Sequence, residues 1–141
     1  MNRSELREIV MKVLYQIDIL NEAKSEYDIN SLIKEQLEIE NEFVNSLIEG
    51  ILKEKKNIKK LANDHLKDWT LDRLSKPDKA ILEIGIYELM YTDTPSIVAI
   101  NEAVELSKKY SDEKVTKMIN ACLDKIYHEN EDKLDKEEID E

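Results

Sequence analysis

Apolar positions recur at three- and four-residue intervals along most of the chain, the period of a helix that buries one face. Leu6, Ile9, Val13, Ile17 and Leu20 make the first such stripe, and Ser4 ahead of it is placed to cap a first helix. Arg3 and Arg7 fall off that stripe. A break over residues 21–25 leads to a short second helix, about Ile29 to Leu37, with Leu32, Ile33, Gln36 and Leu37 on its inner edge. A third and longer helix is predicted from Glu42 to Leu66, with Phe43, Leu47, Ile51, Ile58, Leu61 and Ala62 turned inward and lysines outward. Gly50 weakens that helix unless a neighbour crosses closely at that point. Residues 69–75 read as a connection, with one short helical turn from Leu71 to Leu74.

The pattern then changes. Proline lacks an N–H and has a preset φ, so it suits a first helical position, and Pro77 and Pro95 mark two helix starts. Behind Pro77, with Ser75 as cap, only Glu83 and Glu88 interrupt a run of apolar residues from Ala80 to Met90. So few charges cannot face water on a broad side, and this helix is expected to be buried nearly all round. After Pro95, the residues Ala99, Ile100, Ala103, Val104 and Ser107 form a narrow seam for close helix packing. Ser111 or Asp112 can cap a last helix whose inner stripe is Val115, Met118, Ile119, Cys122, Leu123 and Ile126.

Composition supports an all-α fold of about six or seven helices: two glycines and two prolines in 141 residues starve turns, while Leu, Ile, Glu and Lys dominate. This length corresponds to one domain, and residues 1–128 are expected to form it. Residues 129–141 hold eight acids against two lysines, more than half of the net charge of −11, and read as a solvated, disordered tail. One cysteine, Cys122, cannot form an internal disulfide and fits a reducing compartment. No stretch has the length of a membrane span or the build of a signal peptide, so a cytoplasmic location is expected. His65 and His128 stand in no metal-ligand spacing, and there is no HExxH, CxxC or glycine-rich phosphate loop. No catalytic residue, metal or cofactor is expected, and the protein reads as a non-enzyme.

The distribution of charge says more than its sum. Lys108 and Lys109 end one helix and Lys114 and Lys117 begin the next, bracketing Tyr110 and Ser111. If the first helix lies beside this turn, Arg3, Arg7 and Lys12 complete a basic strip, with Tyr15 and Tyr110 available to stack on bases. Such a strip suits single-stranded RNA, which offers phosphates to cations and unstacked bases to aromatic rings. Composition alone also allows a plainer reading, in which lysines at helix C-termini complement the helix dipole and serve no ligand.

The segments RxxxR from Arg3, VLYQ (13–16), DKAIL (78–82), YEL (87–89), VAINEAVELSK (98–108) and KMINACLD (117–124) together resemble the NusB family of transcription antitermination factors. That resemblance implies two packed three-helix subdomains plus an extra helix, and an RNA-binding adaptor. Its partners would be NusE, a ribosomal protein of the small subunit, boxA-type single-stranded RNA, and the RNA polymerase antitermination complex that reads through terminators, notably in ribosomal RNA operons. By position, Arg3, Arg7 and Tyr15, together with Lys114, Lys117 and Met118, are implied for RNA, and Asp78 and Glu88 for NusE; the charge pattern adds Lys12, Lys108 and Lys109 to the RNA set. Two departures weaken the RNA surface: Ser4 and Glu5 stand where relatives carry further basic residues, and Met118 replaces a phenylalanine. The alternative reading is a NusE-binding module with little RNA recognition of its own.

Overall fold

Among residues 1–134, which the computed structural model describes, the chain forms eight α-helices and no strand. They are α1 (Arg3–Glu22), α2 (Ile29–Gln36), α3 (Glu42–Lys53), α4 (Lys55–His65), α5 (Lys76–Tyr91), α6 (Ser96–Tyr110), α7 (Glu113–Glu129) and α8 (Glu131–Leu134), with one 3₁₀ turn at Leu71–Arg73 between α4 and α5. Helices α1, α2 and α3 pack together, α4, α6 and α7 close a second group, and α5 touches α1, α3, α4, α6 and α7.

The apolar run explains that central place. Ile81, Leu82, Ile86 and Leu89 are fully buried, and Asp78, Glu83 and Glu88 are drawn inside with them. Each such aliphatic side chain contributes about 1.5–3 kcal/mol of burial. Ser75 caps the helix by accepting from Asp78 N–H at 3.3 Å. Pro77 is one residue further in than expected, because Lys76 takes the first helical position, and Pro95 is the N-cap residue of α6 rather than its first turn. Both shifts keep proline where a missing N–H costs nothing.

Close approach accounts for both glycines. A Cβ on Gly50 would lie 1.9 Å from the Tyr87 hydroxyl oxygen, so α5 crosses α3 there. At Gly85 a Cβ would stand 2.9 Å from a Leu123 methyl and 3.2 Å from Ala103 Cβ, the point where α5 meets α6 and α7.

Four expectations need correction. The long third helix is two helices, broken at Glu54 (φ −95°, ψ 15°), because α3 packs on α1 and α5 whereas α4 packs on α5 and α7. The cap of α1 is Asn2, whose side-chain oxygen accepts from Glu5 N–H at 2.8 Å, while the Ser4 hydroxyl donates to Glu102. Gln36 is exposed, and the inner edge of α2 is Leu32 and Ile33, with Leu37 packed partly buried beside them as expected. The beginning of the expected free tail is helical: Leu134 is buried and its carbonyl accepts from Ser96 Oγ at 2.9 Å, anchoring α8 beside the start of α6. Residues 135–141 of that tail lie outside the described residues.

Candidate nucleic-acid interface

Helices α1 and α5 run antiparallel, since Arg7 meets Glu88 near one end and Asp18 meets Lys76 and Lys79 near the other. This pairing, with α6 packed on α5, brings the first turns of α1 alongside α6. At the far end of that contact, Lys109 Nζ lies 2.9 Å from both carboxylate oxygens of Glu8, and the Tyr110 hydroxyl donates to the same group. Lys12, one turn further along α1, places its Nζ 3.9 Å from Glu8. Tyr15 follows on α1, close enough for its phenol to act electrostatically on Tyr110.

These contacts shape the protonation of the cluster. The hydrogen bond from Tyr110, then that from Lys109, holds the Glu8 carboxyl below the usual 4.5. Desolvation, reinforced by the bond to Glu8, pushes the Tyr110 phenol up to about 12. Lys109 also stands over the Tyr110 ring, 5.6 Å from its centroid.

Beyond the turn, Asp112 caps α7 by accepting from Val115 N–H at 2.8 Å, which presents Lys114 and Lys117 to solvent on the first two turns. Among the described residues Lys117 makes an exposed pair with Glu113 at 3.2 Å, and Lys108 one with Glu105 at 3.4 Å. Such pairs contribute little and open readily. A cleft of about 490 Å³ lies between α6 and α7 here, lined by Val104, Lys108, Thr116, Lys117 and Asn120 among others. Met118 is half-buried against the core, so a large part of it is committed to packing.

The arginines do not join this strip as expected. Arg7 is buried: its Nε is 2.6 Å and one terminal nitrogen 2.8 Å from the two Glu88 oxygens, and the other terminal nitrogen is 3.1 Å from Glu102. Desolvation alone disfavours that charge, but the bonds and fields of Glu88 and Glu102 more than reverse it and raise its pKa above the ordinary guanidinium value. A guanidinium so engaged and 5% exposed cannot grip phosphate. Glu88, 1% exposed, is correspondingly removed from any partner face; it holds Arg7 and accepts from the Thr94 hydroxyl at 3.1 Å. Arg3 is exposed but turned to the other flank of α1, over the Phe43 ring at 4.5 Å. Asp78, the other position implied for a partner, is 7% exposed, and its Oδ1 is buried with no hydrogen-bond partner among the described residues.

The residue that the sequence pattern does not single out is Glu8. Its place one helical turn before Lys12 is the available signal, since i,i+4 acid–base pairs share a face.

Comparison with known proteins decides what this arrangement belongs to. A model of the NusB family matches residues 4–128. The chain belongs to the NusB family. Transcription antitermination protein NusB of Listeria monocytogenes serotype 4a is 36% identical over 131 residues, covering 92% of this chain and 99% of that one. Its counterpart in Oceanobacillus iheyensis is 40% identical over 128 residues, covering 89% and 98%. Among solved structures, NusB of T. maritima superposes with a TM-score of 0.78 at 31% identity, covering 92% of both chains. A chain in a crystal structure of antitermination factors NusB and NusE in complex with dsRNA gives 0.76 at 27% identity, covering 92% of this chain and 99% of that one. No helix among the described residues is long and apolar enough to cross a membrane.

Proposed function

We propose that this protein is a transcription antitermination factor of the bacterial cytoplasm: a non-catalytic adaptor that pairs with NusE and binds boxA RNA, so that RNA polymerase reads through terminators, notably in ribosomal RNA operons. The observation that carries the reading is the junction of α1 with the α6–α7 turn, where Lys12 and Lys109 meet and Lys108, Lys114 and Lys117 continue the exposed positive charge. Phosphates would be held by these lysines, while Arg3, over Phe43 on the other flank of α1, lies apart from them. Tyr15 and the exposed part of Met118 offer surfaces to bases. Backbone contacts of this kind position the RNA without reading it, so sequence preference has to come from base contacts.

Asp78 supports the partner half. A buried carboxylate oxygen without a donor is costly, and a bound protein that opens the first turn of α5 far enough to reach it would satisfy it. This fits NusE, which accompanies NusB in the related complex.

The second reading, a NusE-binding module with little RNA affinity of its own, is favoured by the withdrawal of Arg7 into the core and by the acid in the middle of the strip. A titration of boxA RNA with and without NusE, repeated at several salt concentrations, separates the two. Salt-dependent binding strengthened by NusE supports the adaptor; a NusE complex indifferent to RNA supports the module and rejects the adaptor.

A further inference from the structure

Glu8 sits where the basic strip should be most attractive to an anion. Two donors and a further cation from two helices converge on its carboxylate: Lys109 Nζ at 2.9 Å from both oxygens, the Tyr110 hydroxyl, and the Lys12 ammonium in an ion pair at 3.9 Å. Lys109 and Tyr110 lie 101 and 102 residues from Glu8 along the chain, so the fold brings them to the acid that helical spacing already pairs with Lys12. Two ammonium groups and a phenol around a pair of anionic oxygens is the donor set that a phosphodiester takes, since both anions offer two oxygens to charge-assisted hydrogen bonds of similar length. The cluster is also open to exchange. The side chains of Lys12 and Lys109 are 40% and 60% exposed, so an incoming phosphate can reach both without rearrangement of the core.

We propose that Glu8 is an internal stand-in for an RNA backbone phosphate, its carboxylate filling an anion site made by Lys12, Lys109 and Tyr110 that RNA occupies by displacing it. The inference rests on the RNA-binding reading above and adds to it a point of anchorage and a built-in competitor. Exposed ion pairs are weak, worth about two- to fivefold in an equilibrium, so Glu8 is displaced readily and yet lowers RNA affinity by about that factor. Glu8 differs in this from Glu88, which is sealed in the core with Arg7 and open to no exchange. It also differs from Glu113 and Glu105, each of which meets a single lysine of the strip.

The test is a titration of labelled boxA-type RNA into the NusE complex of three proteins: wild type, Glu8→Gln, and Glu49→Gln. Glu49 is an exposed acid on α3 away from the strip and controls for the change in net charge. Glu8→Gln is expected to bind RNA about two- to fivefold more tightly, with log affinity falling more steeply against log salt by about 0.7, one further phosphate contact on a single strand. Glu49→Gln is expected to match wild type. In the free protein, loss of the Glu8 bond should also lower the Tyr110 phenol from its position at about 12, read by ultraviolet titration. Equal or weaker RNA binding by Glu8→Gln overturns the inference and makes Glu8 a strut that orders Lys109 and Tyr110, and an equal gain in Glu49→Gln overturns it as a net-charge effect. If wild type binds RNA and Glu8→Gln gains nothing, this inference alone fails. If none of the three complexes binds RNA, the proposed function fails and the inference with it.

Discussion

Replacing Arg7 by methionine separates a structural role from an RNA-gripping one. The substitution keeps a long side chain but removes the guanidinium from Glu88, whose carboxylate stays in a site 1% exposed. Removing one partner of a buried ion pair costs about 3–5 kcal/mol, because the remaining charge keeps its desolvation penalty and loses its compensation. Glu102 adds little to the loss, since its side chain is 24% exposed and water can replace the contact. Domains of this kind have about 5–15 kcal/mol in total, so the variant gives up a large share of its stability. At roughly 3 °C per kcal/mol for a chain of this size, Tm should fall by about 10–15 °C. Differential scanning calorimetry at pH 7 reads the shift directly. The double variant Arg7→Met/Glu88→Gln should recover much of it, because no buried charge is then left unbalanced. RNA affinity of the NusE complex, measured well below the lowered Tm, should stay within about twofold of wild type. An unchanged Tm together with a collapse in RNA affinity would refute the assignment of Arg7 to the core.

Other outcomes follow from single environments. Burial, partly offset by Lys79 and Lys55, pushes the Glu83 carboxyl up to about 7 from the ordinary 4.5, so its neutral form is favoured in the fold. The stability that this contributes is complete below pH 4.5 and is lost as pH rises to 7, a few kcal/mol over the window at about 1.4 kcal/mol per unit. Glu83→Gln should therefore be more stable than wild type in urea unfolding at pH 8 and nearly equal at pH 4.5; a parallel pH dependence of the two proteins would count against it. Gly50→Ala forces Tyr87 from its place, because the new methyl meets its hydroxyl oxygen and two ring carbons within 2.7 Å, and should cost about 1–3 kcal/mol in thermal or urea unfolding. An unchanged stability there would mean that α3 and α5 do not cross as described. Desolvation pushes the buried Cys122 thiol up to about 12, so a thiol reagent at pH 8 should label it only as fast as the protein opens. Labelling at the rate of a free cysteine would place α7 differently.

The features legible in the amino-acid sequence are those that local pattern determines. The run behind Ser75 has too few charges to be anything but central, and Gly50 and Gly85 sit at close helix crossings, the first of which its place inside a helical pattern already suggests. The break at Glu54 is not legible: Lys53, Glu54 and Lys55 are adequate helix formers, the inward residues Ile51 and Ile58 keep the helical period across it, and only the switch of packing from α1 to α7 requires it. Arginine is mostly a surface residue, and that tendency points Arg7 outward. Its spacing to Val10, Met11 and Leu14 nevertheless puts it on a buried stripe, and Glu88, inside an otherwise apolar helix, needs a counter-charge. That these two needs meet is invisible in the sequence, since 81 residues separate them. The convergence of α1 on the α6–α7 turn is suggested by the lysines, but its acidic centre depends on the same kind of long-range pairing. Leu134 looks too isolated to bury, and it is the start of α6 that receives it.

The central claim is that cations from α1 and from the end of α6 hold RNA phosphates together. It is tested most directly by the salt dependence of boxA RNA affinity for the NusE complexes of wild type and of Lys12→Gln/Lys109→Gln. Two lost phosphate contacts should flatten the slope of log affinity against log salt by about 1.4 and weaken RNAs of different sequence alike. An unchanged slope and affinity in the double variant would contradict the account.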